Sequence, residues 1–397
     1  MKILQINSVY GIRSTGRIVT AIEKLLDETG FEHCAITGEG DFSDPHVHVM
    51  SGRLYQKANI LLTRIFGRHG FYNKWATKRA LKFIDREKPD LIHLHNLHGH
   101  YINAPLLFNY IREKKIPLVW SLHDCWAFTG HCPHFDYIGC EKWKTGCYDC
   151  PQQKGYPVSL FFDRSEKNYR EKKALFTSVP DIHFVLASKW LQSKVKESFL
   201  GNYPSCIIMN GVDTSAFYPR VTNLKEELGL SGKFVIMGII REFSGPKGGE
   251  FFLKLSEMLK EDEYIVLVSL EEKPENIPPN ITALPRTDSK EKLAEIYSMA
   301  DVFVNTTLQE TLPTVNTEAI CCNTPVVSFD SGGCGETVDE TCGILVPRGD
   351  AQALYNAVQR VKRGELSMEG LPTRRETLDN GARFCAHIDL YKQILSK

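Results

Sequence analysis

Short apolar runs alternate with longer stretches of helical character from one end of this chain to the other. That alternation leaves few folds open, because it builds parallel sheets covered by helices. Residues 2–6 read as a buried strand, residues 7–14 as a loop, and Thr15 as the cap of a helix reaching about residue 26. Strand, glycine-containing loop and helix, in that order, open a doubly wound domain. Gly11 and Gly16 do not complete a G-x-G-x-x-G fingerprint, which argues against a dehydrogenase. Further strands are predicted from 89 into a loop by 98, and at 117–121, 183–186 and 206–209, with helices over 159–176 and from 188. After a turn-rich joint at Asn210-Gly-Val-Asp213 the pattern restarts, with strands at 233–240, 264–269 and 301–305. Helices follow from Glu250, over 288–299 with Asp288 and Glu291 as a capping box, over 350–363 and over 382–395. A chain of 397 residues with this double pattern is expected to be α/β, with two doubly wound domains.

One stretch carries chemistry. Glu310 and Glu318 stand eight positions apart in Glu310-Thr-Leu-Pro-Thr-Val-Asn-Thr-Glu318. Thr311 and Pro313 mark a helix start, since proline suits the first helical position. Asn323 and Pro325 mark its stop, and Val326-Val327 reads as a buried strand. Glu310 then sits in the loop before the helix and Glu318 on its early turns. The amides exposed at that start suit an anion, and the carboxylates suit hydroxyls on either side of it. A nucleotide sugar has that form. The structural alternative is an acid favoured by the helix dipole and a second, solvated glutamate.

With Leu312-Pro313 between them and Asn-Thr-Pro-Val-Val after them, the paired glutamates resemble the signature of retaining glycosyltransferases of family 4, which adopt the GT-B fold. The resemblance implies two Rossmann-like domains facing across a cleft. Residues 1–209 would bind the acceptor, residues 210–381 the nucleotide sugar, and a helix over 382–397 would pack back on the first domain. Arg241 and Lys247, in the loop after strand 233–240, match the pair that grips the donor diphosphate. Glu318 would hold the ribose hydroxyls and Glu310 the transferred sugar. The turn 284–287, with Arg286, would meet the base, and Thr311, Leu312 and Pro313 belong among the donor contacts. Gly16 matches a residue near the donor phosphate, though a tight turn explains it equally well. His123 matches a histidine beside the reacting sugar, with Asp124 orienting the site. Two fixed cations could neutralise a departing pyrophosphate without magnesium, so no cofactor is expected for catalysis. A UDP- or GDP-sugar donor is implied, with hexosyl or N-acetylhexosaminyl transfer.

The remaining features are read from the residues. Formal net charge is zero, which gives no global field for nucleic acid. No run of about 18 apolar residues occurs, and the opening reads as a strand rather than a signal peptide, so a cytoplasmic protein is expected. Its 12 cysteines are then thiols or metal ligands. Residues 53–82 carry eight Lys and Arg and no acid, interleaved with aromatic and aliphatic side chains. Such a stretch suits an anionic bilayer surface at the inner face of the membrane, or a solvated helix packed by its apolar stripe. His93 and His95 share a strand face, and the four histidines of 93–100 are expected to line a crevice rather than hold a metal. Cys132, Cys140, Cys147 and Cys150 could hold a structural zinc that staples a loop with little core of its own, or remain thiols, or pair. Segment 129–151 resembles a subset of these transferases in exopolysaccharide assembly of the colanic acid type. That likeness and the basic stretch point to a polyprenyl-linked saccharide acceptor. Two rival readings are a nucleotide-sugar 2-epimerase of the same fold and a non-catalytic, metal-stapled scaffold.

Overall fold

The computed structural model describes residues 1–40, 44–271, 277–366 and 370–396. The chain forms two compact units, Met1–Met209 with Phe384–Lys397, and Asn210–Arg383.

The strands of the first unit are β1 (Lys2–Val9), β2 (Glu32–Glu39), β3 (Val47–Val49), β4 (Leu91–Leu94), β5 (Leu118–Leu122), β6 (Ile182–Leu186) and β7 (Ser205–Ile207). They form one sheet in the order β3-β2-β1-β4-β5-β6-β7, every pair parallel. Around it lie α1 (Arg13–Glu28), α2 (Arg53–Phe66), α3 (Lys74–Glu87), α4 (Ala104–Lys114), α5 (Ser165–Phe176) and α6 (Lys189–Glu197). Parallel strands are buried on both faces, which is why they read as continuous apolar runs. Alternate residues feed different cores: Leu4, Ile92 and Trp120 pack on one face. Ile3, Leu91 and Val119 pack on the other.

In the second unit, α7 (Leu224–Glu227) precedes β8 (Phe234–Ile239), α8 (Glu250–Met258), β9 (Glu263–Val268), β10 (Ile281–Leu284), α9 (Lys290–Met299), β11 (Val302–Asn305) and α10 (Thr314–Cys321). Next come β12 (Val326–Asp330), β13 (Gly343–Pro347), α11 (Ala351–Lys362), α12 (Leu371–Leu378) and α13 (Asn380–Leu395). This sheet has the order β10-β9-β8-β11-β12-β13 and is also all parallel. Beyond Arg383, α13 belongs to the first unit, where Phe384, Ile388, Tyr391 and Ile394 fill the core beside Ile3 and Leu91.

Strand order reverses between β1 and β4 in the first sheet, and between β8 and β11 in the second. In doubly wound sheets the crevice for a ligand opens at the carboxyl ends of such a pair.

Local boundaries differ from those predicted where long-range contacts decide them. Helix α1 starts at Arg13 rather than Thr15, and Ile12 is its uncapped N-cap. Gly16 therefore lies inside the first turn, not in the loop. A Cβ there would meet Val9 and the Gly11 amide nitrogen at 3.2 Å, so the glycine lets α1 approach β1. The basic stretch forms two helices, interrupted by Gly67 and Asn73 in left-handed conformations. Helix α5 begins at Ser165 instead of 159, because the Leu160 amide is bonded to the Arg64 carbonyl at 2.7 Å. Ser289, not Asp288, caps α9, accepting from the Lys292 amide at 3.1 Å. No described helix is long and apolar enough to cross a membrane.

Candidate active site

The reversal point of the second sheet brings two loops together. The loop after β8 carries Lys247 and the loop after β11 carries Glu310. They are stitched by backbone: the Leu308 amide donates to the Pro246 carbonyl at 2.8 Å, and Thr306 Oγ1 donates to the Lys247 carbonyl at 3.1 Å. The third loop, after β12, closes on the same place. The Gly333 amide donates to the Glu310 carbonyl at 3.0 Å. Gly332 has φ +57, and a Cβ on it would lie 1.7 Å from that carbonyl oxygen.

Lys247 Nζ donates to Glu310 Oε2 at 2.7 Å, and the Glu310 charge pulls the ammonium pKa upward. Glu310 Oε1 accepts from the Thr311 amide at 3.0 Å. The helix that follows starts one residue later than expected: Pro313 is the N-cap, and no side chain caps α10. Thr311 and Leu312 are buried beneath its start. Glu318 stands on α10, where the buried Tyr297 hydroxyl donates to its Oε2 at 3.2 Å. One ammonium and one carboxylate thus meet at the reversal point, an uncapped helix start follows them, and Glu318 stands further along that helix, an arrangement suited to a phosphate flanked by hydroxyls.

Arg241 and Arg286 are held elsewhere. Arg241 is paired with Glu271, its Nε and Nη2 lying 3.0 and 2.7 Å from Oε1. Both side chains are more than half exposed, so the pair is weak and open to a competing anion. Arg286 pairs with Asp288 at 3.0 Å, also at the surface.

In the first unit His123 follows β5, and its proton positions follow from its neighbours. Gln5 Nε2 donates to the Val19 carbonyl at 3.0 Å, which turns Gln5 Oε1 toward His95 Nε2, 3.1 Å away. An amide oxygen only accepts, so His95 carries its proton on Nε2. The bare His95 Nδ1 then accepts from His123 Nε2 at 3.1 Å, with the two rings stacked. Burial pushes His123 down to about 4, against the upward pull of Asp124, so the ring is neutral near pH 7. Its Nδ1 is left as a hydrogen-bond acceptor. Asp124 spends its hydrogen bond on His98 Nε2, at 2.6 Å, rather than on His123. Burial alone would raise that carboxyl; His98 and the Trp126 amide bring it to about 2. His93, fully buried, bonds Ser121 and Tyr391 instead, at 2.7 and 2.6 Å.

The four cysteines line one small cavity of about 20 Å³. All four are free, and the Gly130 amide donates to Cys147 Sγ at 3.1 Å. Among the described residues no three His, Cys, Asp or Glu side chains stand in a metal-holding arrangement. The thiols thus share a pocket without forming a coordination shell. The loop is anchored by aromatic packing: Phe128, Phe135 and Trp143 are buried against one another and join the core that Leu4, Ile92 and Trp120 form on the sheet. Lys172 from α5, only 1% exposed, donates to the carbonyls of Trp126 and Thr129 at 2.7 and 3.0 Å. Burial lowers this ammonium to about 7.

Sequence reasoning missed Gln5, Tyr297 and Glu271. A buried glutamine in an apolar strand was the one signal available for Gln5; the other two had none.

Two doubly wound units with all-parallel sheets, and a charged site where the second sheet reverses, have the architecture of GT-B glycosyltransferases. Residues 15–216 match the family model Glycosyltransferase Family 4, and residues 234–363 match Glycosyl transferases group 1. The chain belongs to glycosyltransferase family 4. It is 27% identical over 312 residues to the Escherichia coli K12 protein named "Putative colanic acid biosynthesis glycosyl transferase WcaC", covering 76% of this chain and 74% of that one. It is 28% identical over 217 residues to an alpha-maltose-1-phosphate synthase of Mycolicibacterium smegmatis, across 48% of this chain and 52% of the relative. Among solved structures it resembles the sucrose-phosphate synthase of Thermosynechococcus elongatus, with a TM-score of 0.72 at 19% identity over 100% of this chain and 99% of that one. It also resembles Anabaena Alr3699/HepE in complex with UDP-glucose, with a TM-score of 0.66 at 16% identity over 100% and 98% of the chains. At these identities the structures speak for the fold alone.

Proposed function

We propose that the protein transfers a hexosyl or N-acetylhexosaminyl group, with retention at the anomeric carbon, from a UDP- or GDP-sugar to a lipid-linked saccharide acceptor in exopolysaccharide assembly. The observation that carries this reading is the Lys247–Glu310 pair, 2.7 Å apart beside the uncapped start of the helix bearing Glu318. The Anabaena neighbour bound to UDP-glucose supports a nucleotide-sugar donor, and the printed name of the Escherichia coli relative supports polysaccharide synthesis.

In this reading Lys247 and the α10 amides take the donor diphosphate, and Arg241 joins them after exchanging Glu271 for phosphate. Glu310 accepts from hydroxyls of the transferred sugar and Glu318 from those of the ribose. The bond from the anomeric carbon to the β-phosphate oxygen breaks, and the acceptor oxygen bonds that carbon on the same face. The acceptor proton passes to the departing phosphate oxygen. Fixed cations stabilise the charge that grows on the diphosphate. His123 accepts a hydrogen bond from a hydroxyl of the bound saccharide through Nδ1.

A thermal-shift panel of UDP, GDP and their sugars, followed by product analysis, tests the reading. One nucleotide should raise Tm, and nucleoside diphosphate should appear only when an acceptor is present. Conversion of the donor to another sugar without acceptor would make the protein an epimerase. No nucleoside diphosphate from any donor would leave a scaffold.

For the cysteine pocket we propose a structural zinc, since four thiols line one cavity and zinc takes four sulfur ligands. Protein purified without chelator should carry about one equivalent of zinc. Less than about a third of an equivalent removes the proposal and leaves four thiols.

A further inference from the structure

The first unit bears an apolar surface that the transfer chemistry does not use. Leu54 and Leu61 on α2 are 84% and 56% exposed. Beside the end of this helix runs the loop Leu160-Phe161-Phe162, in which Leu160 and Phe161 are 53% and 69% exposed. Three consecutive large apolar side chains in solvent are costly unless something covers them.

The loop is fixed in place. The Leu160 amide donates to the Arg64 carbonyl at 2.7 Å, and Ser159 Oγ donates to the Phe162 carbonyl at 2.6 Å. The Phe162 ring is parallel to that of Phe66, with centroids 6.2 Å apart. A Cβ on Gly67 would lie 2.6 Å from Ser159 Oγ and 2.8 Å from the Phe162 carbonyl, so the glycine permits this approach. The loop and the end of α2 thus form one apolar surface through Phe66 and Phe162, with Leu61 and Leu54 exposed further back along the helix.

Its surroundings are cationic. Lys57, Arg64 and Arg164 are exposed around it, and the Arg164 guanidinium lies 5.1 Å from the Phe162 ring centroid. Trp75 on α3 is exposed and meets Tyr55 of α2 edge-on, which extends the surface toward Lys74, Lys78 and Arg79. Of the nearby acids, Asp163 accepts from the amides of Cys150 and Ser165, Glu171 is bonded to Arg68, and Glu166 is exposed on α5. An apolar strip rimmed by Lys and Arg is complementary to an anionic bilayer, where side chains enter the acyl boundary and ammonium and guanidinium groups meet phosphates.

We propose that α2 and the loop Leu160-Phe161-Phe162 dock this protein on the surface of an anionic phospholipid bilayer. The surface belongs wholly to the first unit, so the inference stands independently of which sugar or acceptor is used. Co-sedimentation of the full chain with vesicles of phosphatidylcholine alone, or mixed with phosphatidylglycerol, tests it.

Binding should need the anionic lipid and weaken as salt rises from about 0.05 to about 0.5 M. Replacing Leu160→Ser and Phe161→Ser together should lower binding roughly tenfold with Tm unchanged, since both side chains are in solvent. Lys57→Glu with Arg64→Glu should abolish the preference for anionic lipid. Absence of binding, equal binding to neutral vesicles, or full binding by the Leu160/Phe161 variant would overturn the proposal. So would self-association in solution that the same variant dissolves, because the patch would then be an interface between copies.

Discussion

His95 accepts a hydrogen bond from His123, Nδ1 to Nε2 at 3.1 Å, and Gln5 on its far side leaves His95 no other protonation. His123 is thereby committed to one tautomer before any substrate arrives. Replacing His95→Phe removes the acceptor and frees the ring to put its proton on Nδ1. The variant should lose roughly tenfold in kcat/KM, within the range of one misdirected hydrogen bond. Nitrogen NMR of the wild type should show His123 protonated on Nε2 and bare on Nδ1. The reverse tautomer would remove its role as an acceptor.

Lys247 and Glu310 separate function from fold. The ammonium is about half exposed, so the ion pair adds little to stability, about 0 to 1 kcal/mol. Glu310→Ala should abolish transfer while Tm barely moves. Lys247→Ala should cost about 1.5 to 3 kcal/mol of charge-assisted binding, roughly ten- to a hundredfold in kcat/KM. Near-normal turnover in both would refute their placement.

Arg241 offers a variant that gains affinity. Its guanidinium is held by Glu271, and in the proposed reading a diphosphate displaces that carboxylate. Glu271→Ala should tighten the binding of nucleoside diphosphate by up to about fivefold, the worth of an exposed pair. Calorimetric titration measures this directly. An unchanged Kd would exclude Arg241 from the donor site.

Acid should destabilise the fold early. Burial holds His100, His123 and His131 at about 4 and His387 at about 3, whereas the unfolded chain protonates them near about 6.5. Between those values the unfolded state binds more protons, so stability is present above pH 6.5 and is lost as pH falls. Each histidine removes about 1.4 kcal/mol per pH unit in that window. His33 opposes the trend, because the Glu23 carboxylate 3.7 Å away and Asp27 raise its pKa, but burial lowers His48, His69, His93 and His95 as well as these four. Urea midpoints at about pH 7.5 and about pH 5 should differ clearly. Equal midpoints would contradict the burial of these rings.

What could be read in advance was what local pattern determines. The apolar strands announced both sheets, and Glu310 and Glu318 with their flanking residues announced the family. The misses share one cause, which is contact between distant positions. The start of α5 is set by a bond from Leu160 to Arg64, and that of α1 by the packing of Gly16 on Val9. The tautomer of His123 depends on Gln5, more than a hundred positions away. Arg241 lies beside Glu271 because β8 and β9 are neighbours in the sheet, which no single stretch of sequence reveals.

Gly332 has one more consequence. Any larger residue there would force the Glu310 backbone aside, so a position with no functional group of its own guards the aim of the Glu310 carboxylate. Sequence drift should therefore be poorly tolerated at Gly332, whose only asset is the absence of a side chain. A search for inactivating changes that looked only at charged residues would overlook it.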